Sequence, residues 1–420
     1  MATSIEKNYR RVRLACYSCN ISMAVIGNLP PLLFLTFREL YGVSYTLLGL
    51  LILINFVTQL IVDLVFSFFS HKFNIPAAVK MTPFLTIAGL LVYALWPLLL
   101  PGSAYVGLVV GTVIFSAASG FCEVLISPVI VAIPAENPER EMSKLHSIYA
   151  WGVVAVVAVS TVFLLVLDNV YWHWLALLFL LIPLFSVLLF AGAELPRMET
   201  PERSADALHL LRNKGLWLCV SAIFLGGAAE CIMAQWCSGY LEQALGVPKV
   251  WGDLFGVALF AVFLGLGRTL YAKYGKGIER ILLLGAVGAT VCYLVAAFVA
   301  IPVVGLFACA LTGFCVSMLW PGSLIVASDR YPAGGVFVFA LMAAGGDLGA
   351  SVGPQLVGLV TDGVMAWPRA VSFADRLGLS AEQLGMKAGM LLGMVFPLIA
   401  VVVYVAILRG TRKRKKTERL

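Results

Sequence analysis

Charged residues are scarce in this chain: 12% of its 420 residues are Asp, Glu, Lys or Arg, while 61% are hydrophobic and the mean hydropathy is +0.96. A soluble domain carries about 25% charge, so a water-soluble globular fold is excluded. Histidine is scarcer still, with four residues scattered so that no zinc-ligand spacing arises. The nine cysteines fall within or at the ends of apolar runs, as small buried residues do, so they make no disulfide framework. Cys16 and Cys19 form one Cys-x-x-Cys with no matching second pair, which is too little for a metal or redox site. The first apolar run lacks a small-residue cleavage site followed by a polar domain, so a cleavable signal peptide is not expected. No clustered nucleophile, metal-ligand set or His/carboxylate constellation has a recognisable spacing, and no enzyme, metal or cofactor is expected.

What the chain has in abundance is long apolar runs. About 20 apolar residues cross the hydrocarbon core as a helix. Runs of that length are expected at 14–37, 45–70, 76–100, 104–133, 145–167 and 171–192, then at 215–244, 250–273, 278–300, 303–329, 336–364 and 386–408. The fold class is therefore an all-α integral membrane protein with twelve transmembrane helices. Under these spans, all but five of the 29 basic residues lie on one face; Arg38, Lys249, Arg369, Arg376 and Lys387 lie on the other. Lys and Arg favour the cytoplasmic side, which puts both termini there, in a plasma (inner) membrane. The basic tail 410–420 reads as a topology anchor attracted to anionic lipid, and no nucleic acid is implied. A monomer in the bilayer is expected.

The chain also repeats itself. Ser119-Gly-Phe-Cys-Glu-Val-Leu-Ile-Ser-Pro128 matches Thr312-Gly-Phe-Cys-Val-Ser-Met-Leu-Trp-Pro321, and the same offset pairs Gly152 with Gly345. A similar offset pairs Lys72 with Lys273 and Asn74 with Gly275. Two pseudo-symmetric six-helix halves, 1–192 and 215–409, are thus expected, joined by a charged, proline-bearing cytoplasmic linker at 193–214. Repeats of this kind place a solute site near the midplane between halves that rock to give alternating access. The loop from Trp367 to Gly385 has the spacing of a short amphipathic helix.

Function is sought in the polar groups placed inside apolar runs. Glu123 lies near the middle of the run from Tyr105 to Ile133, which holds no Lys or Arg. An ionised carboxylate near the bilayer centre costs roughly 2.5–3.5 kcal/mol on insertion scales, so Glu123 needs a use or a proton. Glu230 sits mid-run in the seventh span and shares that reading. With Lys80 and Arg268 towards the cytoplasmic ends, no cation is expected near either glutamate. Protonation, Na+ binding and a cationic solute are the three alternatives, with protonation the simplest. In the second span Asn55 and Gln59 share a face that leads to Asp63; Asp63, Arg268 and Asp347 are read as gating or structural groups. Asp168 and Asp329 lie near span ends, where water or a loop accounts for them. Trp151, Trp236 and Trp320 are candidates for stacking on a sugar face, with Trp320 foremost because it precedes the repeated proline.

By Glu123 with Ser127-Pro128, and by Leu145-His-Ser-Ile-Tyr-Ala-Trp-Gly152, the chain resembles the major facilitator superfamily and, within it, the fucose permease and glucose/galactose transporter group. The architecture match covers nearly the whole chain. In that group the fourth helix looks like Glu-x-x-x-Asn-Pro and the fifth opens with Gln-x-x-Asn-x-x-Gly. The resemblance gives Glu123 the place of the proton-linked glutamate and gives His146 and Tyr149 the places of sugar-contacting Gln and Asn. Two motifs depart from the group: Gly27-Asn-Leu-Pro-Pro31 stands where fucose carriers have an aspartate, and the superfamily's loop motif is degraded to Ser67-Phe-Phe-Ser-His-Lys-Phe-Asn74. The expectation is a carrier of a small polar solute, a sugar or polyol, by proton symport. Glu123 and Glu230 would couple to protons, and Asn28, Asn55, Gln59, His146, Tyr149, Gln235, Trp236 and Trp320 would line the solute site. The alternatives are an exporter of cationic or amphipathic compounds and a non-transporting receptor on the same scaffold.

Overall fold

The structure is a computed structural model that describes residues 4–69, 73–134, 138–196, 210–274, 276–331 and 335–417. All regular structure among the described residues is helical. Span one runs Ser4–Leu32 and, after one residue, Phe34–Tyr41, bent by 49°. Spans two to five are Tyr45–Phe69, Ile75–Leu99, Ala104–Ala132 and Pro138–Leu167; span six is Trp172–Leu178 with Leu181–Phe190. Span seven is Lys214–Leu245. Span eight joins Lys249–Trp251 through a π-helical turn, Gly252–Ala258, to Leu259–Tyr274. Spans nine to twelve are Ile278–Phe298, Pro302–Val316 with Leu319–Arg330, Gly335–Ala366 and Ala381–Thr417. A helix at Pro368–Arg376 occupies the loop where an amphipathic one was expected.

Nine of the described helices are long and apolar enough to cross a bilayer, and the bent first pair makes ten. The apolar part of span five is the shorter Trp151–Leu167, because its first turns carry charged residues. Span eleven has 32 residues, more than a crossing needs. Each of the twelve expected runs is thus helical. The breaks follow the prolines. Pro30 and Pro31 remove two backbone donors and crowd the preceding turn, and the chain bends just after them. Span ten breaks at Ser317 and Met318, within four residues of Pro321.

Two compact units emerge, Met1–Val43 with Ile54–Arg203, and Ser44–Leu53 with Ser204–Leu420. In the first, Trp172 is fully buried and meets Phe37 and Tyr93 edge to face at 5.0 and 5.9 Å, while its indole N–H donates to the Tyr41 hydroxyl at 3.2 Å. In the second, the buried phenols reach backbone carbonyls: Tyr293 donates to Ala229 at 2.7 Å and Tyr240 to Ala296. A polar tip in hydrocarbon must find its partner within the protein. The nine cysteines are free thiols, most of them buried.

The first span of each unit ends in the same way. Gly42 and Gly246, both at φ 64°, donate to Arg38 and Glu242, and the following Val43 and Val247 reach back to Phe37 and Leu241. This left-handed closure satisfies carbonyls at the helix end and favours glycine because it has no Cβ. The first turns of span two group with the second unit. There Asp362 accepts from the amides of Tyr45 at 3.3 Å and Thr46 at 2.6 Å, capping the helix start.

Candidate functional sites

In the first unit, span two carries a polar stripe in which Asn55, Gln59 and Asp63 are all buried. The Ser116 hydroxyl on span four donates to Asn55 Oδ1 at 2.6 Å, and Gln59 Nε2 donates to the Asn55 carbonyl at 3.4 Å. Spans two and four approach closely because residue 120 is glycine: a Cβ there would stand 2.8 Å from Val62 and 3.3 Å from the Gln59 carbonyl. One turn further along the same faces, at Gly120+3 and Gln59+4, stand Glu123 and Asp63. Their carboxylate oxygens lie within 4.8 Å of each other, Asp63 buried and Glu123 exposed. The sequence assigned Asp63 to gating, but the glycine contact makes it the neighbour of Glu123.

The remaining candidates of this unit are dispersed. Asn28 spends its amide on the Ala24 carbonyl of its own helix at 2.9 Å. Tyr149 is half-buried, its hydroxyl 3.6 Å from where a Cβ on Gly27 would stand. His146 lies on span five, but its side chain is outside the described residues. Trp151 corrects its expectation as a stacking group. It is 71% exposed and falls on one helical stripe with Val159 and Val162, both also exposed, the apolar face that a bilayer would cover. The Leu145 carbonyl at the head of the resembling motif accepts from Asn20 at 2.7 Å, a contact between residues 125 apart that no spacing signals.

The second unit holds a different centre. Glu230 was expected to have no cation nearby; the structure overturns this. Arg268 Nη2 donates to both Glu230 oxygens, at 3.1 and 3.3 Å, and Arg268 Nε donates to the Ser317 carbonyl at 3.0 Å. Pro321 has no N–H to offer the carbonyl four residues back, which is that of Ser317, so this acceptor is left for Arg268. Gly267 lets span eight lie directly on Ser317: a Cβ there would stand 2.2 Å from the Ser317 hydroxyl oxygen. Placing Arg268 towards a helix end by counting residues missed how far a guanidinium reaches along its stem.

Around this pair the aromatic candidates divide. Trp236 is 1% exposed and donates from its indole nitrogen to the Pro354 carbonyl at 3.0 Å, so it is packed in the interior where it cannot stack on a solute. Trp320 is half-buried and covers two glycines: a Cβ on Gly227 or Gly346 would stand 2.9 or 2.5 Å from its ring. Gly227 precedes Glu230 by one helical turn, so Trp320 flanks the pair. Gln235 is half-buried on span seven and Asp347 is buried on span eleven.

Asp253 was missed. It is 1% exposed within the π-helical turn, accepts from the Ser238 hydroxyl, and stands 3.4 Å from the Lys249 ammonium. The Lys249 and Asp253 spacing of four was the available signal.

The geometry can be set beside known proteins. Among solved structures, the nucleoside transporter NupG superposes with a TM-score of 0.71 at 10% identity, covering 95% of this chain and 99% of that one. A D-xylose-proton symporter gives 0.69 at 15% identity, covering 94% and 97%. The E. coli fucose:proton symporter FucP gives 0.57 at 17% identity, covering 95% and 99%. At these identities the likeness is one of fold. No curated protein sequence matches the chain. Residues 15–354, by contrast, match the family described as the Major Facilitator Superfamily. With twelve helical spans in place and most of its length matched, the chain belongs to the Major Facilitator Superfamily, as a membrane transporter.

Proposed function

We propose that this transporter moves a small polar solute, a sugar or a close chemical relative, together with protons by alternating access. The observation that carries the proton reading is the Asp63–Glu123 pair, with oxygens within 4.8 Å. Two ionised carboxylates at that separation repel by about 3–4 kcal/mol at an effective dielectric of about 20. A single proton held between them removes that repulsion and gives the site two charge states. The neighbours with this fold that carry xylose or fucose with protons, and the nucleoside transporter, favour a polyhydroxy solute. Export of cationic compounds rested on two glutamates without counter-charges, and Arg268 already neutralises Glu230, so the solute reading is the better supported.

The test is solute-driven proton movement in proteoliposomes holding a trapped pH dye, with no imposed ion gradient. Wild type is expected to carry protons with solute, and Glu123→Gln to move fewer protons per solute. Solute uptake by wild type with no accompanying proton movement would remove the role of Glu123.

A further inference from the structure

The Arg268–Glu230 pair has a feature that simple neutralisation does not need. Arg268 has three kinds of N–H: Nε is bound to the Ser317 carbonyl and Nη2 to both Glu230 oxygens, while Nη1 takes no partner among the described residues. The guanidinium is held from two sides with one nitrogen left over. Its side chain is 42% exposed, against 16% for Glu230.

That exposure is not towards lipid. The exposed large apolar residues of span eight are Trp251, Phe255, Val262, Leu266, Leu270 and Tyr274, and Val262, Leu266 and Leu270, each four residues from the next, bracket Arg268 in sequence and share one face. Residue 268, at 100° per residue, points about 200° away from residue 266, the opposite side. Beside it span seven presents the half-buried Glu230 and Cys231, and Trp320 flanks the pair across Gly227. The open side of Arg268 is therefore polar and bounded by an aromatic ring.

We infer that Arg268 is the docking group for a carboxylate on the solute, with Glu230 as its internal stand-in, so that the transported compound is a polyhydroxy acid such as a hexuronate or aldonate. This rests on the transporter reading above and narrows its solute class. A guanidinium is a planar fork suited to a carboxylate, and it binds both oxygens when two of its nitrogens are available. With Glu230 ionised, only Nη1 is open and a solute carboxylate gains one nitrogen. When a proton from the aqueous phase adds to a Glu230 oxygen, that carboxyl gives up its hold on Nη2, and the Nη1–Nη2 edge takes both oxygens of the solute. One proton and one anion enter together, so the charge of the site is the same before and after loading. Departure of the anion returns Arg268 to Glu230 and sends the proton back to water. Trp320, half-buried beside the pair, bounds the place of the sugar ring. Span ten's break at Ser317 holds the guanidinium in place throughout, so the device needs only a proton and a carboxylate to exchange.

The experiment uses the full-length protein in proteoliposomes and a panel of hexuronates and aldonates against the matching neutral hexoses. At least one acid is expected to be taken up with more than 10-fold preference over its neutral partner. Arg268→Lys, which keeps the charge but not the fork, is expected to shrink that preference to within twofold, with the variant's monodispersity and melting curve showing that it is folded. Infrared difference spectra on adding the preferred acid should show a protonated carboxyl band in wild type that Glu230→Gln lacks. Uptake of hexoses in preference to their acids would overturn the inference while leaving sugar transport standing. A preference for acids that Arg268→Lys leaves intact would overturn the docking role. Uptake of neither class would overturn the sugar reading and this inference together.

Discussion

The two units solve the same packing problem with the same residues and then diverge in charge. In each, the glycine of the repeated Gly-Phe-Cys lets the fourth span meet the second span of its half. A Cβ on Gly120 would stand 2.8 Å from Val62, and one on Gly313 would stand 2.2 Å from the Phe260 carbonyl. The paired glycines of the next spans act likewise, Gly152 against Ala24 at 3.1 Å and Gly345 against Val220 at 2.8 Å. Yet three residues after the first glycine stands Glu123 in one unit and the fully buried Val316 in the other. The first unit brings acid to acid, the second acid to base. Internal repetition preserves backbone approach because a Cβ in either place would collide. It leaves side-chain charge free to differ.

That contrast can be broken most severely at the glycines. Gly313→Val should destabilise the protein by more than Gly120→Val, on a scale of about 1–3 kcal/mol for overpacking. Its Cβ meets backbone, whereas that of residue 120 meets the side chain of Val62 first. Thermal unfolding in detergent would compare them, and equal losses would mean that the two contacts are equally able to relax.

The charge difference predicts opposite signs. Arg268→Gln leaves Glu230 without its partner and should cost about 1–2 kcal/mol, less than the 3–5 typical of breaking a fully buried pair because this one is partly exposed. Adding Glu230→Gln should recover part of that loss. Glu123→Gln removes one of two neighbouring acids and should leave stability unchanged or raised at neutral pH. A loss for Glu123→Gln as large as for Arg268→Gln would show the acid pair to be held by other contacts.

The left-handed closures should be interchangeable. Gly42→Ala and Gly246→Ala each place a Cβ at φ 64°, at a cost of about 1–2 kcal/mol. Near-equal falls in melting temperature would support the equivalence of the two halves at this point. The smallest effect belongs to Trp151→Ala: solute uptake should change by less than twofold, because the ring faces outward from its helix.

Much of this molecule was written in its sequence, and the reasons are local. A run of about 20 apolar residues can hardly be anything but a helix in a bilayer, and all twelve runs are helical. The repeat was legible because Gly, Phe, Cys and Pro recur in register. The equivalent Gly-Val endings at 42 and 246 escaped notice because they lie in loops of differing sequence. The mid-span position of Glu123 could be counted along the chain. Its neighbour could not, since Asp63 is 60 residues earlier and is brought near by one glycine contact. The Arg268–Glu230 pair was hidden for a related reason. It depends on a carbonyl that Pro321 releases on span ten and on the close approach that Gly267 permits beside Arg268 itself. The sequence by itself thus determined the elements, their apolar faces and the doubling of the chain, because periodicity and hydropathy act between near neighbours. Only the tertiary structure decided which charges meet, because the Coulomb interaction depends on distance in space, and that distance is set where small residues allow helices to touch.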